Sequence, residues 1–202
     1  MVSTSKRVSI MAVTAALYAV LFALSFSVAL PNFTLLYLPI ILLGIFPIWF
    51  GWTGLVGSMI GAFIGGAFVE NLGYYAWVEA ITTLVIYGLN WLLITRKAAE
   101  AKTKRDLFLL LGVYALTLFA GLGYILWQET FFPPIFTPEA AIAILIPTFA
   151  LNYIIAAITC PTLIRVLSPK LRNWGVYSGT FQDWKRGKAQ KQAVSQEREV
   201  KH

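Results

Sequence analysis

Apolar residues in this chain fall in long runs separated by short polar breaks. The central run, Thr34 to Val69, holds no Asp, Glu, Lys, Arg or His and pivots at Phe50-Gly51-Trp52. Ahead of it, Lys6 and Arg7 precede a run from Val8 to about Ala29, long enough to span a hydrocarbon core of roughly 30 Å. The central run supplies two more spans, at about 34–50 and 52–69. A fourth follows from about Tyr75 to Thr95, a fifth from Leu107 to Trp127 and a sixth from about Ala140 to Leu167. The breaks are the turn at Pro31-Asn32, the segment Glu70 to Tyr74, a charged loop over 96–106 and a stiff proline-containing connection from Gln128 to Glu139. The pattern predicts an all-α integral membrane protein, a compact bundle of six transmembrane helices. Residues 1–167 form its membrane domain and 168–202 a basic tail.

Within the central run, Gly57, Gly61 and Gly65 recur every four residues, on one face of a helix. In hydrocarbon, helices gain little by hiding apolar surface from each other, so small residues that let backbones approach closely supply the attraction instead. Pro39 and Pro47 each remove a backbone donor, and a membrane tolerates such breaks only where neighbouring helices or a wet cavity satisfy the freed groups. Breaks are expected in spans two and three only. In the tail, Trp174, Tyr177, Phe181 and Trp184 stand at helical spacing ahead of Lys185, Arg186, Lys188 and Lys191. That spacing fits an interfacial helix on anionic lipid, and a disordered basic tail is the alternative. For the first run the rival is a signal peptide, since Ser27-Val28-Ala29 resembles a cleavage site. The run is long for that purpose and has its own packing face.

Composition agrees, with 58% hydrophobic and 12% charged residues. The formal charge of +7 invites a nucleic-acid reading, which the placement of the charges removes. All sixteen Lys and Arg lie before span one, between spans four and five, or at and beyond the inner end of span six. Six spans put these segments on one side, made cytoplasmic by the positive-inside rule, together with both termini. Glu70, Glu79, Glu129 and Glu139 collect on the other side. Cys160 is the only cysteine and His202 the only histidine, so neither a His/Cys metal site nor a His-based triad is available. No enzyme, metal or cofactor is expected.

Span one carries Ala12, Ala15, Ala16, Ala19 and Ala23, whose small-xxx-small pairs suit either internal packing or docking of a partner helix. Together with LPIILLGIFPIWFGWTGLVGSMIGAFIGGAF in the central run and ALNYIIAAITCPTLIRVL near the end, this layout resembles the substrate-binding S-components of energy-coupling-factor (ECF) transporters. The resemblance implies a protein of the prokaryotic cell membrane that captures a vitamin or similar micronutrient at the outer face. It also implies docking, through Ala12, Ala15, Ala16 and Ala19, on a transmembrane coupling subunit driven by two ATPase subunits. The chain has no GxxxxGK[ST] phosphate loop, so ATP hydrolysis would belong to those partners.

Candidate ligand residues follow from the residues themselves. Glu79, Thr83, Tyr87 and Asn90 make a polar stripe on span four, and an ionisable group within a span is a functional hypothesis by default. Asn152 and Tyr153 lie in span six, where an amide needs a partner, either a neighbouring helix or a ligand. Tyr74, Tyr75, Trp77 and Trp127 sit at the outer ends of spans four and five, where an aromatic belt explains most of them. With Glu79, Gln128 and Asn152 they also offer stacking surfaces and polar anchors for a flat heteroaromatic ligand. The resemblance implies that the turn Leu30 to Phe33, with Asn32, acts as a lid over it, as the corresponding loop does in that family. The competing function is a self-sufficient secondary transporter or channel, which often shows paired broken helices. An intramembrane enzyme would have to use Glu70 and Glu79.

Overall fold

The computed structural model describes residues 3–27, 36–69, 73–131 and 137–187, and the described residues are helical with no strand. The helices are α1 (Thr4–Ser27), α2 (Ile40–Leu43), α3 (Phe46–Phe50), α4 (Trp52–Val69), α5 (Tyr74–Leu93), α6 (Arg96–Glu100), α7 (Lys104–Phe131) and α8 (Pro138–Asn173). A last helix, α9, covers 181–187. Four of them, α1, α5, α7 and α8, are long and apolar enough to cross a membrane. The segment Ile40–Phe50 and α4 are apolar but shorter. This is the make-up of a helical membrane protein.

Packing fixes the direction of each element. A side chain on Gly57 would meet Met11 and Thr14, one on Gly61 would meet Ala15 and Tyr18, and one on Gly65 would meet Phe22. Helices α1 and α4 therefore run parallel, in the most extensive helix contact of the fold, through the glycine face that the spacing predicts. Gly66 against Ala76 and Leu55 against Gly88 make α5 antiparallel to α4, and α5 and α8 run in the same sense along 37–43, with α7 seated on α5 at Gly121 and Ile86. Phe119 against Phe149 and Leu111 against Tyr153 make α8 antiparallel to α7, and hence α7 antiparallel to α5. The start of α1, the α5–α7 connection and the end of α8 consequently share one end of the bundle. Lys6, Arg7, the cations of 96–105 and Lys170 to Arg186 gather there.

Span two departs from a plain helix. It is α2 and α3, joined through a turn at Gly44-Ile45, and Gly51 at φ +59 then reverses the chain into α4. That φ favours glycine, because a Cβ there crowds the carbonyl. Almost every side chain from 39 to 49 is buried. The break at Pro47 is satisfied within the bundle: Pro47 has no N–H for the Leu43 carbonyl, and Asn90 Nδ2 donates to it instead at 2.7 Å. Helix α8 contains Pro147, Pro161 and Pro169 and still runs unbroken to Asn173, six residues past the expected end of span six. The charged loop includes α6, whose C-terminal Ala101 carbonyl accepts both Nε and Nη2 of Arg165 at 3.1 and 2.8 Å.

The tail also differs from expectation. Trp174, Tyr177, Phe181 and Trp184 do not line one helix, because 174–180 is not helical. The chain turns back instead and latches onto the basic end of the bundle. Ser178 N–H donates to the Trp49 carbonyl at 2.7 Å, and Gly179 N–H to the Ile48 carbonyl at 2.9 Å. Those carbonyls end α3 and lack helical partners. Trp91 Nε1 donates to the Gly179 carbonyl at 3.1 Å, and the Phe181 and Trp184 rings pack on Trp91 at 5.3 and 5.9 Å. Thr180 and Asp183 cap α9 reciprocally, each side chain accepting from the other's backbone N–H. Removing both rings with Phe181→Ala and Trp184→Ala is expected to free this latch. Limited proteolysis within 176–187 would then run about tenfold faster than in the parent chain.

Candidate functional site

The polar stripe of α5 faces inward, because its apolar counterpart (Trp77, Ile81, Val85, Leu89 and Leu92) is exposed. Its members do two kinds of work. Tyr87 OH donates to the Pro39 carbonyl at 2.7 Å, as Asn90 does to Leu43, so the inner half of the stripe supports the broken segment. The same segment draws on α1 and α8 as well. Leu38 N–H donates to Ser25 Oγ at 2.8 Å, Tyr37 N–H donates to Asn152 Oδ1 at 2.8 Å, and Cys160 donates to the Ile41 carbonyl at 3.3 Å.

The outer half forms a chain of hydroxyls ending on a carboxylate. Tyr18 OH bonds to Thr83 Oγ1 at 2.8 Å and to the Tyr37 hydroxyl, and Tyr37 OH donates to Glu79 Oε2 at 3.2 Å. Glu79 is half-buried and Tyr18 fully buried. The four groups come from three elements, α1, α5 and the strand of chain entering α2. They lie toward the end of the bundle away from the basic residues.

The other candidates divide. Asn152 is buried and engaged with Tyr37 and with the Thr148 carbonyl. Tyr153 donates to the Leu111 carbonyl at 3.3 Å and stacks on Phe149. Asn152 therefore serves its own helix and the non-helical segment entering α2, and Tyr153 joins α8 to α7. Gln128 is 2% exposed, and its Nε2 has no hydrogen-bond partner among the described residues. The Gly121–Ile86 contact sets α5 and α7 in a register that puts Gln128 at about the level of Glu79. Trp77, at 61% exposed, packs its ring on Phe63 at the outer surface of the bundle. Trp127 belongs to an outward row with Tyr124 and Phe131, and Tyr74 is exposed beside Tyr75. The structure thus brings Glu79 and Thr83 together with Tyr18 and Tyr37, and it sets Trp77, Trp127 and Tyr74 on outward faces. Asn32 and its turn lie outside the described residues, as do Glu70 and the side chain of Glu129.

Sequence reading missed Tyr18, Ser25 and Tyr37. A usable signal was present on α1, where Thr14, Tyr18 and Ser25 recur at four and seven residues, a polar thread facing inward. Among the described residues no group of three or more His, Cys, Asp or Glu side chains is placed to hold a metal.

The alanines of α1 divide too. Ala15 is buried against α4, beneath Gly61, and is not available to a partner. Ala12, Ala16 and Ala23 are exposed and Ala19 partly so. They form a strip flanked on one side by exposed Val13, Leu17, Val20 and Leu24 and on the other by the face packed on α4. No family model matches the chain, and comparison with curated proteins and with solved structures finds no significant match.

Proposed function

We propose that the chain is the substrate-specific membrane subunit of an ECF-type uptake transporter. It crosses the membrane six times with both termini in the cytoplasm, in the cell membrane of a prokaryote. A vitamin-like small molecule binds near the outer face, and the Ala12–Ala16 strip docks on a transmembrane coupling subunit served by two ATPases. The observation that carries this reading is the Glu79 carboxylate, held by the Tyr37 hydroxyl within a span and away from the basic end. Intramembrane carboxylates are costly and are kept where they meet a ligand or ion. The amide nitrogen of buried Gln128, without a partner among the described residues and at a similar level, supports the same place. Further support comes from the alternating direction of the elements and from the collection of cations at one end.

The reading separates binding from docking, and so does its test. Full-length protein purified from its native membrane is expected to retain a small molecule identifiable by mass spectrometry. Glu79→Gln should weaken its retention about tenfold or more, through loss of a charge-assisted hydrogen bond. Ala12→Leu with Ala16→Leu should leave retention intact while abolishing co-purification with a coupling subunit and uptake by cells. Ion-driven uptake by the purified protein alone in liposomes would instead make it a secondary transporter.

A further inference from the structure

At the basic end, a recess of about 350 Å³ lies between α6, the end of α8 and the latch. Arg96, Glu100, Arg172, Tyr177, Thr180 and Asp183 are among the residues that line it. Its formal charges balance, two guanidiniums against two carboxylates, but the carboxylates are already engaged by other donors. Glu100 accepts from Lys102 Nζ at 2.8 Å, whereas the nearest nitrogens of Arg96 and Arg172 stand 3.9 Å away, beyond hydrogen-bond reach. The Lys102 bond, followed by the nearby Arg172 and Arg96, holds the Glu100 carboxyl below its usual range. Asp183 Oδ2 accepts from the Thr180 N–H and hydroxyl at 3.1 and 2.9 Å.

The guanidiniums therefore retain donors that the protein's own acids do not use. Each carries five N–H groups in a rigid fork matched to the oxygens of a carboxylate or phosphate. Arg172 is also steadied, with its guanidinium 4.6 Å from the centre of the Tyr177 ring. Two features favour phosphate over a small carboxylate. The recess lies at the end of the bundle where the long apolar helices α5 and α8 stop, and exposed Trp52 and Trp174, residues that favour a membrane–water interface, flank that end. Paired guanidiniums at the ends of membrane helices suit phosphate-bearing headgroups.

We propose that this recess is a phosphate-binding site, with Arg96 and Arg172 gripping the phosphate of an anionic lipid or a free phosphate ion. Tyr177 and Thr180 sit on the latch, so an occupied site ties the latch to α6 and α8. Ionised Glu100 lies beside the phosphate and sets a ceiling on its affinity. This proposal is independent of the uptake reading and stands or falls separately from it.

The test uses the full-length protein in neutral detergent. In one arm, phosphatidylglycerol or phosphatidylcholine is added and retention is read by native mass spectrometry. In the other arm, inorganic phosphate or chloride is added at matched ionic strength and thermal stability is read. Retention of phosphatidylglycerol over phosphatidylcholine identifies the lipid as the source, and stabilisation by phosphate alone identifies the free ion. In whichever arm responds, Arg172→Gln and Arg96→Gln are expected to weaken binding about tenfold each. Arg172→Lys should restore part of it. Glu100→Gln should strengthen binding, a gain that a merely structural ion cluster would not give. Absence of response in both arms, binding indifferent to Arg172→Gln, or binding weakened by Glu100→Gln would overturn the proposal.

Discussion

Gly61→Val is expected to lower the stability of the protein by about 3 kcal/mol, the upper end of ordinary overpacking costs. A Cβ at this position would sit 2.5 Å from the Ala15 carbonyl oxygen and 2.7 Å from Tyr18 Cβ. Both are backbone or backbone-proximal atoms, so no rotamer change relieves the clash. Helices α1 and α4 must separate, and every close contact along their glycine face weakens with distance. Tyr18 would move with α1 and disturb its bonds to Thr83 and Tyr37. Gly112→Val supplies the control, because nothing lies within 4 Å of a side chain built there. Thermal melts in detergent should show a large drop for the first and little change for the second. Equal drops would mean that glycine content, not close approach, sets the stability.

The second large effect is expected at Asn90, which is fully buried. Asn90→Leu removes the donor that serves the Leu43 carbonyl and leaves a buried acceptor without a partner, at a cost of about 2 kcal/mol. The Asn90 Oδ1 atom has no partner among the described residues, so the loss belongs to the donor. Pro47 is the reason the carbonyl is free. In a Pro47→Ala background the residue 47 N–H can close the helical bond to Leu43. The same Asn90→Leu change should then cost less than half as much. A double-mutant cycle of thermal melts measures that coupling, and additive losses would contradict it.

How far the sequence carried can be judged from particular residues. The Gly57, Gly61 and Gly65 face was legible because close approach of helices in lipid depends on so few residue types. The need for partners at Pro39 and Pro47 was legible as well, since proline removes its donor in any context. Which side chains would meet that need was only half visible. Tyr87 and Asn90 stood out as a stripe of candidate ligand residues, yet they serve backbone carbonyls 48 and 47 residues away in the chain. Polarity within a span announces a requirement for a partner without naming it. Trp77 and Trp127 illustrate the converse, because an aromatic at a helix end has the same sequence signature whether it faces the bundle or the lipid. The latch was hidden for a third reason. Tyr177, Phe181 and Trp184 do have helical spacing, but Gly175 and Gly179, both at positive φ, turn the chain before a helix can form. Non-local carbonyls at the end of α3 then capture the backbone, and no periodicity encodes them.

The broken segment at 36–50 draws its partners mainly from parts of the chain made after it, reaching as far as Gly179. During biosynthesis it is made before Tyr87, Asn90, Asn152, Cys160 and the latch exist. Its open carbonyls must wait on the order of ten seconds at ordinary elongation rates before the last of these arrives. The segment that forms the centre of the finished protein is therefore among the last to find its partners, and a nascent chain stalled before α8 would leave the Tyr37 N–H without Asn152 and the Ile41 carbonyl without Cys160.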